Sequence, residues 1–103
     1  MKNESSLKIL AVGYHEAIMN VLERLINSHS GWTGFIARSI SEAQEKMRQQ
    51  PFDALLICAG VSPSEEQTLK EYVGITGAAT KIIRHYGGGS GLLENEIRTA
   101  FDN

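Results

Sequence analysis

The sequence predicts an α/β fold, a parallel sheet covered by helices on both faces. Three observations carry that expectation. Leu55-Leu56-Ile57 is an uninterrupted apolar run, with Pro51 before it and Gly60, Ser62 and Pro63 after it, the pattern of a strand buried on both faces of a sheet. Strand-like and helix-like segments alternate four times along the chain, and such alternation implies right-handed crossovers between parallel strands. Ser39-Ile40-Ser41-Glu42 and Ser62-Pro63-Ser64-Glu65 both have the S-x-x-E form, in which hydroxyl and carboxylate each satisfy an orphan amide at a helix start.

Residues 1–6 are polar and read as a disordered tail, leaving 7–103 as a single domain. Leu7 to Val12 is a mostly apolar strand stopped by Gly13. Between Ala17 and Ile26, the residues Ile18, Val21, Leu22, Leu25 and Ile26 recur at helical spacing, giving one wide apolar stripe for the first helix. Asn27 to Gly31 ends it with a glycine. Trp32 to Arg38 is a shorter strand, weakened by Gly34 and expected at a sheet edge. Ile40, Ala43 and Met47 mark the thin stripe of the second helix, which stops before Pro51.

The central strand follows, within Phe52 to Gly60. Pro63 sits at the first position of the third helix, where a missing amide hydrogen does no harm. Leu69, Tyr72, Val73 and Thr76 form its inward face, and Gly74 and Gly77 predict an early end. Thr80 to Tyr86 is the fourth strand. The glycine-rich turn Gly87 to Gly91 leads into a last helix whose buried stripe is Leu93, Ile97, Ala100 and Phe101.

At 103 residues the chain is long enough to bury a core without disulfide or metal. Its net charge is -2, and neither sign is gathered into a block, so the basic face that carries nucleic-acid binding is missing. The apolar runs fall far short of the ~20 residues that span a bilayer, and no signal peptide opens the chain. No nucleic-acid or membrane partner is therefore expected, and the expected address is the cytoplasm. A single cysteine agrees with a reducing compartment.

Two stretches resemble the receiver domain of bacterial response regulators. Lys8-Ile9-Leu10-Ala11-Val12-Gly13-Tyr14-His15-Glu16, running on into Ile18 to Leu25, is similar to that family's first strand and helix. Pro51-Phe52-Asp53-Ala54-Leu55-Leu56-Ile57-Cys58 is similar to its proline-aspartate-led third strand, and Ser41-Glu42-Ala43 to the start of its second helix. The likeness runs from about Leu7 to Tyr72. It implies a flavodoxin-like three-layer sandwich with sheet order 2-1-3-4, one strand-helix unit short of the family's 2-1-3-4-5. His85-Tyr86, the glycine turn and Leu92-Leu93 match either the fourth or the fifth unit.

The family's chemistry does not carry over. Its phosphoacceptor aspartate falls on Cys58, and its magnesium-holding acidic pair falls on Gly13 and Tyr14. Magnesium needs hard oxygen ligands, and Glu16 alone does not replace three carboxylates. The switch hydroxyl and the final lysine have no clear counterpart. The resemblance thus implies a pseudo-receiver domain that signals or scaffolds by protein contact, without phosphorylation, cofactor or identified catalytic set.

A competing reading looks to the carboxyl ends of the strands, where open α/β sheets bind ligands. His15, Cys58 and His85 end neighbouring strands, spaced about 5 Å apart. One thiolate with two imidazoles, completed by Glu16, is a reasonable zinc shell. A cysteine beside a histidine is also a candidate nucleophile, and a lone cysteine ending a core strand is equally a small buried hydrophobe. The loop Gly87, Gly88, Gly89, Ser90, Gly91 reads either as an anion or small-ligand cradle at a helix start or as a tight turn with Ser90 as cap. Tyr14 and Tyr86 flank the same edge, as ligand platforms or as lids on the core. His29 reads as solvated and Trp32 as a packing anchor. With the usual fifth strand missing, Thr80 to Tyr86 becomes an exposed edge, where Lys81 and Arg84 discourage indiscriminate pairing and Ile82 and Ile83 invite a specific one. A homodimer through this strand or the last helix is expected.

Overall fold

The computed structural model describes residues 6–76, 79–85 and 90–101. Eight elements follow one another: β1 (Leu7–Val12), α1 (Glu16–Ser28), β2 (Trp32–Ala37), α2 (Ile40–Gln49), β3 (Ala54–Ile57), α3 (Pro63–Thr76), β4 (Lys81–Arg84) and α4 (Ser90–Phe101). The strands form one parallel sheet in the order β2-β1-β3-β4, as expected. The expected tail falls largely on residues 1–5, which lie outside the described residues, as do Gly77, Tyr86 and Gly87 to Gly89.

The two central strands hold the register. β1 pairs with β2 from Leu7↔Trp32 to Val12↔Ala37 and with β3 from Ile9↔Ala54 to Val12↔Ile57. The Asp53 carboxylate accepts from the Lys8 amide at 2.8 Å, and the Asp53 amide donates to the Lys8 carbonyl at 2.8 Å. The aspartate that leads β3 therefore clasps the start of β1. β4 pairs with β3 from Ala54↔Lys81 to Ile57↔Arg84 and is the last strand of the sheet among the described residues.

Alternation of side chains along each strand splits the core in two. Ile9, Ala11 and Leu56 pack with Met19, Leu22 and Ile26 of α1 and with Leu93 and Ile97 of α4. Leu10, Val12, Leu55 and Ile57 pack on the opposite face with Ala43 of α2 and Leu69 of α3. This division follows from handedness. Right-handed crossovers send α1 to one face on the step from β1 to β2. They send α2 and α3 to the other face once the chain reverses direction across the sheet. Ile9, Leu10, Leu55, Leu56 and Ile57 are wholly buried, each contributing roughly 1.5–3 kcal/mol, so the stability is concentrated in β1 and β3.

Three local expectations are corrected. In α1 the buried line is Met19, Leu22 and Ile26, whereas Ile18 and Val21 are each 41% exposed. The wide stripe holds two lines a helical step apart, and only one faces the sheet. In α3, Gly74 does not end the helix, which runs on to Thr76, and Thr76 is exposed. At the start of α2 the Ser39 hydroxyl accepts from the Glu42 amide at 3.0 Å, but the Glu42 carboxylate accepts from the Arg38 amide at 2.7 Å, one residue ahead of the cap. The second box forms as written: the Glu65 amide donates to the Ser62 hydroxyl at 3.2 Å, and the Ser62 amide to the Glu65 carboxylate at 3.0 Å.

His29 is also corrected. It is half-buried, stacked on Trp32 with ring centroids 3.6 Å apart, and its Nε2 lies 3.5 Å from the Glu94 carboxylate on α4. Trp32 packs against the α1/α4 side of the core, as its reading as an anchor requires. Gly34, the residue that weakens β2, makes room for α1. A β-carbon there would lie 2.7 Å from Ile26 Cγ2 and 2.8 Å from Ile26 Cβ, and the Asn27 side chain bonds both the amide and the carbonyl of Gly34, at 2.8 and 3.1 Å. Among the described residues, no helix is long and apolar enough to cross a membrane.

Candidate functional site

The carboxyl edge of the sheet is built from three strand ends. After Val12 of β1 the chain turns through Gly13, Tyr14 and His15 into α1. Beyond Ile57 of β3 stands Cys58, whose amide donates to the Val12 carbonyl at 3.0 Å, and beyond Arg84 of β4 stands His85, whose amide donates to the Ile57 carbonyl at 2.9 Å. The ladders thus continue one residue past the strands, and Cys58 and His85 become register neighbours.

Their surroundings differ. Cys58 belongs to the α1/α4 side of the core and is 1% exposed. Its thiol is pushed up to about 12, first by burial and then by the charge of Glu96, with Arg84 opposing. It stays protonated at neutral pH, with the Leu56 carbonyl 3.8 Å from its sulfur. The protonated thiol is a poor nucleophile and a poor metal ligand. His85 is buried as well, and its Nδ1 lies 2.6 Å from a carboxylate oxygen of Glu96 on α4. A carboxylate only accepts, so Nδ1 carries the proton of that bond and the ring is fixed in position.

His15 takes a third role. It N-caps α1, its Nδ1 accepting from the Ile18 amide at 3.4 Å, and it is exposed. Among the described residues no three His, Cys, Asp or Glu side chains gather closely enough to hold a metal ion. His15, Cys58 and His85 therefore do not form the zinc shell that their strand ends suggest. Strand order brings the three backbones close. The pleat then turns Cys58 towards the α1/α4 layer, while His15, already past the pleat, serves its own helix.

Tyr14 reaches away from the core. It is 45% exposed, and its hydroxyl donates to the Glu65 carboxylate at 2.5 Å. Glu65 is held below the ordinary carboxyl range by the Ser62 amide first and the Tyr14 hydroxyl second, and Tyr14 is raised by the same bond. The edge of β1 is thereby tied to the first turn of α3. Of the glycine loop, Gly87, Gly88 and Gly89 lie outside the described residues together with Tyr86, and α4 opens at Ser90, with Gly91 in its first turn, rather than after a Ser90 cap.

Two features escape a reading of motifs. Glu96 is one of two acidic residues on α4, and only the approach of α4 to the end of β4 brings it to His85. On the opposite face Arg84 reaches α3, 3.1 Å from the Glu66 carboxylate and 3.4 Å from the Val61 carbonyl. Nothing in the spacing of Arg84 and Glu66 indicates that pair.

Between α1 and the ends of β3 and β4 lies a groove of about 330 Å³, lined by Ala17, Ile18, Val21, Leu22 and Leu25 of α1 with Ala59 and His85. The half-exposed line of α1 forms one of its walls. Comparison with models of known protein families gives no match for the chain, and comparison with curated proteins gives none either.

Proposed function

We propose that this chain is a receiver-like domain that acts by protein contact, independently of phosphorylation. The observation that carries the reading is the end of β3. A receiver presents a carboxylate there to its phosphoryl donor. Here the residue is Cys58, buried and protonated at neutral pH. Gly13 and Tyr14 follow β1 in place of an acidic pair, so magnesium lacks the hard oxygens it requires. Support for the receiver-like frame comes from the likeness between Leu7 and Tyr72 and from the β2-β1-β3-β4 order.

Such a domain keeps its surfaces when it loses its chemistry. β4 is the outermost strand among the described residues and α4 packs beside it, with the Lys81 ammonium 5.7 Å from the centre of the Phe101 ring. A second copy of the chain, paired through β4 or packed on α4, is the partner we assign, in a signalling or scaffolding assembly.

Incubation with acetyl phosphate, or with beryllofluoride, in the presence of magnesium is expected to leave the mass and the Trp32 fluorescence unchanged. A phosphoryl adduct or a magnesium-dependent spectral change would overturn the reading. Sedimentation at high micromolar concentration is expected to show a dimer, and a strict monomer would remove the second copy as partner.

A further inference from the structure

The α1 groove carries an inference independent of the protein-contact reading. It lies between α1 and the carboxyl ends of β3 and β4, on the edge of the sheet at which open α/β folds bind ligands. Of its described lining residues, six are aliphatic and the seventh is His85. The His85 side chain is 5% exposed. Its Nδ1 is taken by Glu96, and among the described residues no hydrogen bond to its Nε2 is made. A ring nitrogen that opens onto apolar walls favours a ligand group able to hydrogen-bond with it there. The groove, at about 330 Å³, is at the lower end of the volumes that hold small ligands.

We propose that this groove binds a small apolar molecule carrying one hydroxyl group, an alcohol or phenol, whose oxygen meets His85 Nε2. The lining selects that chemistry. Among the described residues no lysine or arginine lines the groove, and Glu96 sits against the one described lining ring that can carry positive charge, so an anion finds no counter-charge among them. A cation would leave water for six aliphatic walls, at a penalty that one imidazole does not offset. A hydroxyl donates to Nε2 when the ring is neutral and accepts from it when the ring is charged, so it satisfies the nitrogen in either state. The exposed side chains of Ile18 and Val21 then become the lip that closes over the apolar body.

The test is a titration of the full chain with phenol and, separately, toluene, followed by the methyl resonances of Ile18, Val21, Leu22 and Leu25 and by the ¹⁵N resonance of His85 Nε2. Phenol is expected to give saturable methyl shifts and to move Nε2. Toluene is expected to bind about five- to tenfold more weakly, the ratio one hydrogen bond supplies, and to leave Nε2 in place. Ala17→Trp, at an exposed helix position, is expected to fill the groove and abolish both titrations. His85→Phe combined with Glu96→Leu, which leaves no orphaned carboxylate, is expected to erase the preference for phenol. If that double variant does not fold, the wild-type Nε2 shift and Ala17→Trp decide alone. Absence of saturable phenol shifts, equal affinity for the two probes, a stationary Nε2 resonance, or unchanged binding in Ala17→Trp would each overturn the proposal.

Discussion

Gly13 and Cys58 meet across β1 and β3 with no room between them: a β-carbon on Gly13 would fall 3.1 Å from Cys58 Cβ and 2.7 Å from the Met19 sulfur. The thiol is thus enclosed by the sheet below and α1 above. Its chemistry is set by that enclosure.

Cys58 is expected to be inert in the native protein and to make stability depend on alkaline pH. Its folded value is about 12 against an ordinary 9.0. Below pH 9 the thiol is protonated in both states and its contribution is fully present. Above pH 9 the unfolded chain ionises first, so stability falls until pH passes about 12. The whole difference is worth on the order of 4 kcal/mol, at 1.36 kcal/mol per pH unit. Urea unfolding at pH 8 and pH 10.5 is expected to cost the wild type about 2 kcal/mol more than Cys58→Ala. Equal losses in the two proteins, or rapid modification of the folded thiol at pH 8, would contradict this.

Gly34→Ala is expected to destabilise the protein by about 1–3 kcal/mol, the usual result of forcing an extra methyl group into a packed interface. The obstacle is the branched base of Ile26, at 2.7 and 2.8 Å, which cannot swing aside as a flexible side-chain end would. Ile26→Ala alone should cost about 2–5 kcal/mol by opening a cavity. In the double variant the new methyl group occupies part of that cavity, so the combined loss is expected to be smaller than the sum. Additive denaturation energies would show that the two residues do not compete for the same space.

Gly74→Ala is expected to act in the opposite direction. Gly74 lies inside α3, exposed, and an added β-carbon there meets nothing within 4 Å. Alanine then restricts the unfolded backbone without straining the folded one, for a gain of roughly 0.5–1 kcal/mol. An unchanged or lower urea midpoint would refute it.

The frame of this protein is legible in its sequence because period and punctuation encode it. Leu55 to Ile57 reads as buried on both faces and is, and Ser62 and Glu65 form the reciprocal cap that their spacing announces. Gly74 misleads because a single glycine in an exposed helix position costs only about 1 kcal/mol, too little to stop a helix anchored by Leu69 and Val73. Ile18 and Val21 mislead because periodicity reports an apolar sector without its centre. The centre is Met19, and the flank faces the groove. The site is legible only as far as strand order reaches. Order brings Cys58 beside His85, but the partner of His85 comes from α4, and the rotation of that helix is not written in any short-range pattern.

Glu65 provides the acid-side counterpart to Cys58. Its carboxylate accepts from the Ser62 amide and from the Tyr14 hydroxyl, and these two bonds, in that order, hold it below its ordinary 4.5. A depressed folded value means that the stabilisation is present above pH 4.5 and is lost as pH falls through the folded value. Glu65→Gln is therefore expected to be less stable than wild type near neutrality and to match it in strong acid. Tyr14→Phe separates the two donors. Carbon-detected titration of the Glu65 side chain is expected to show its midpoint rising towards 4.5 in Tyr14→Phe without reaching it, because the Ser62 amide remains. A midpoint unmoved by that substitution would mean that the tie between the end of β1 and the start of α3 does not hold in solution.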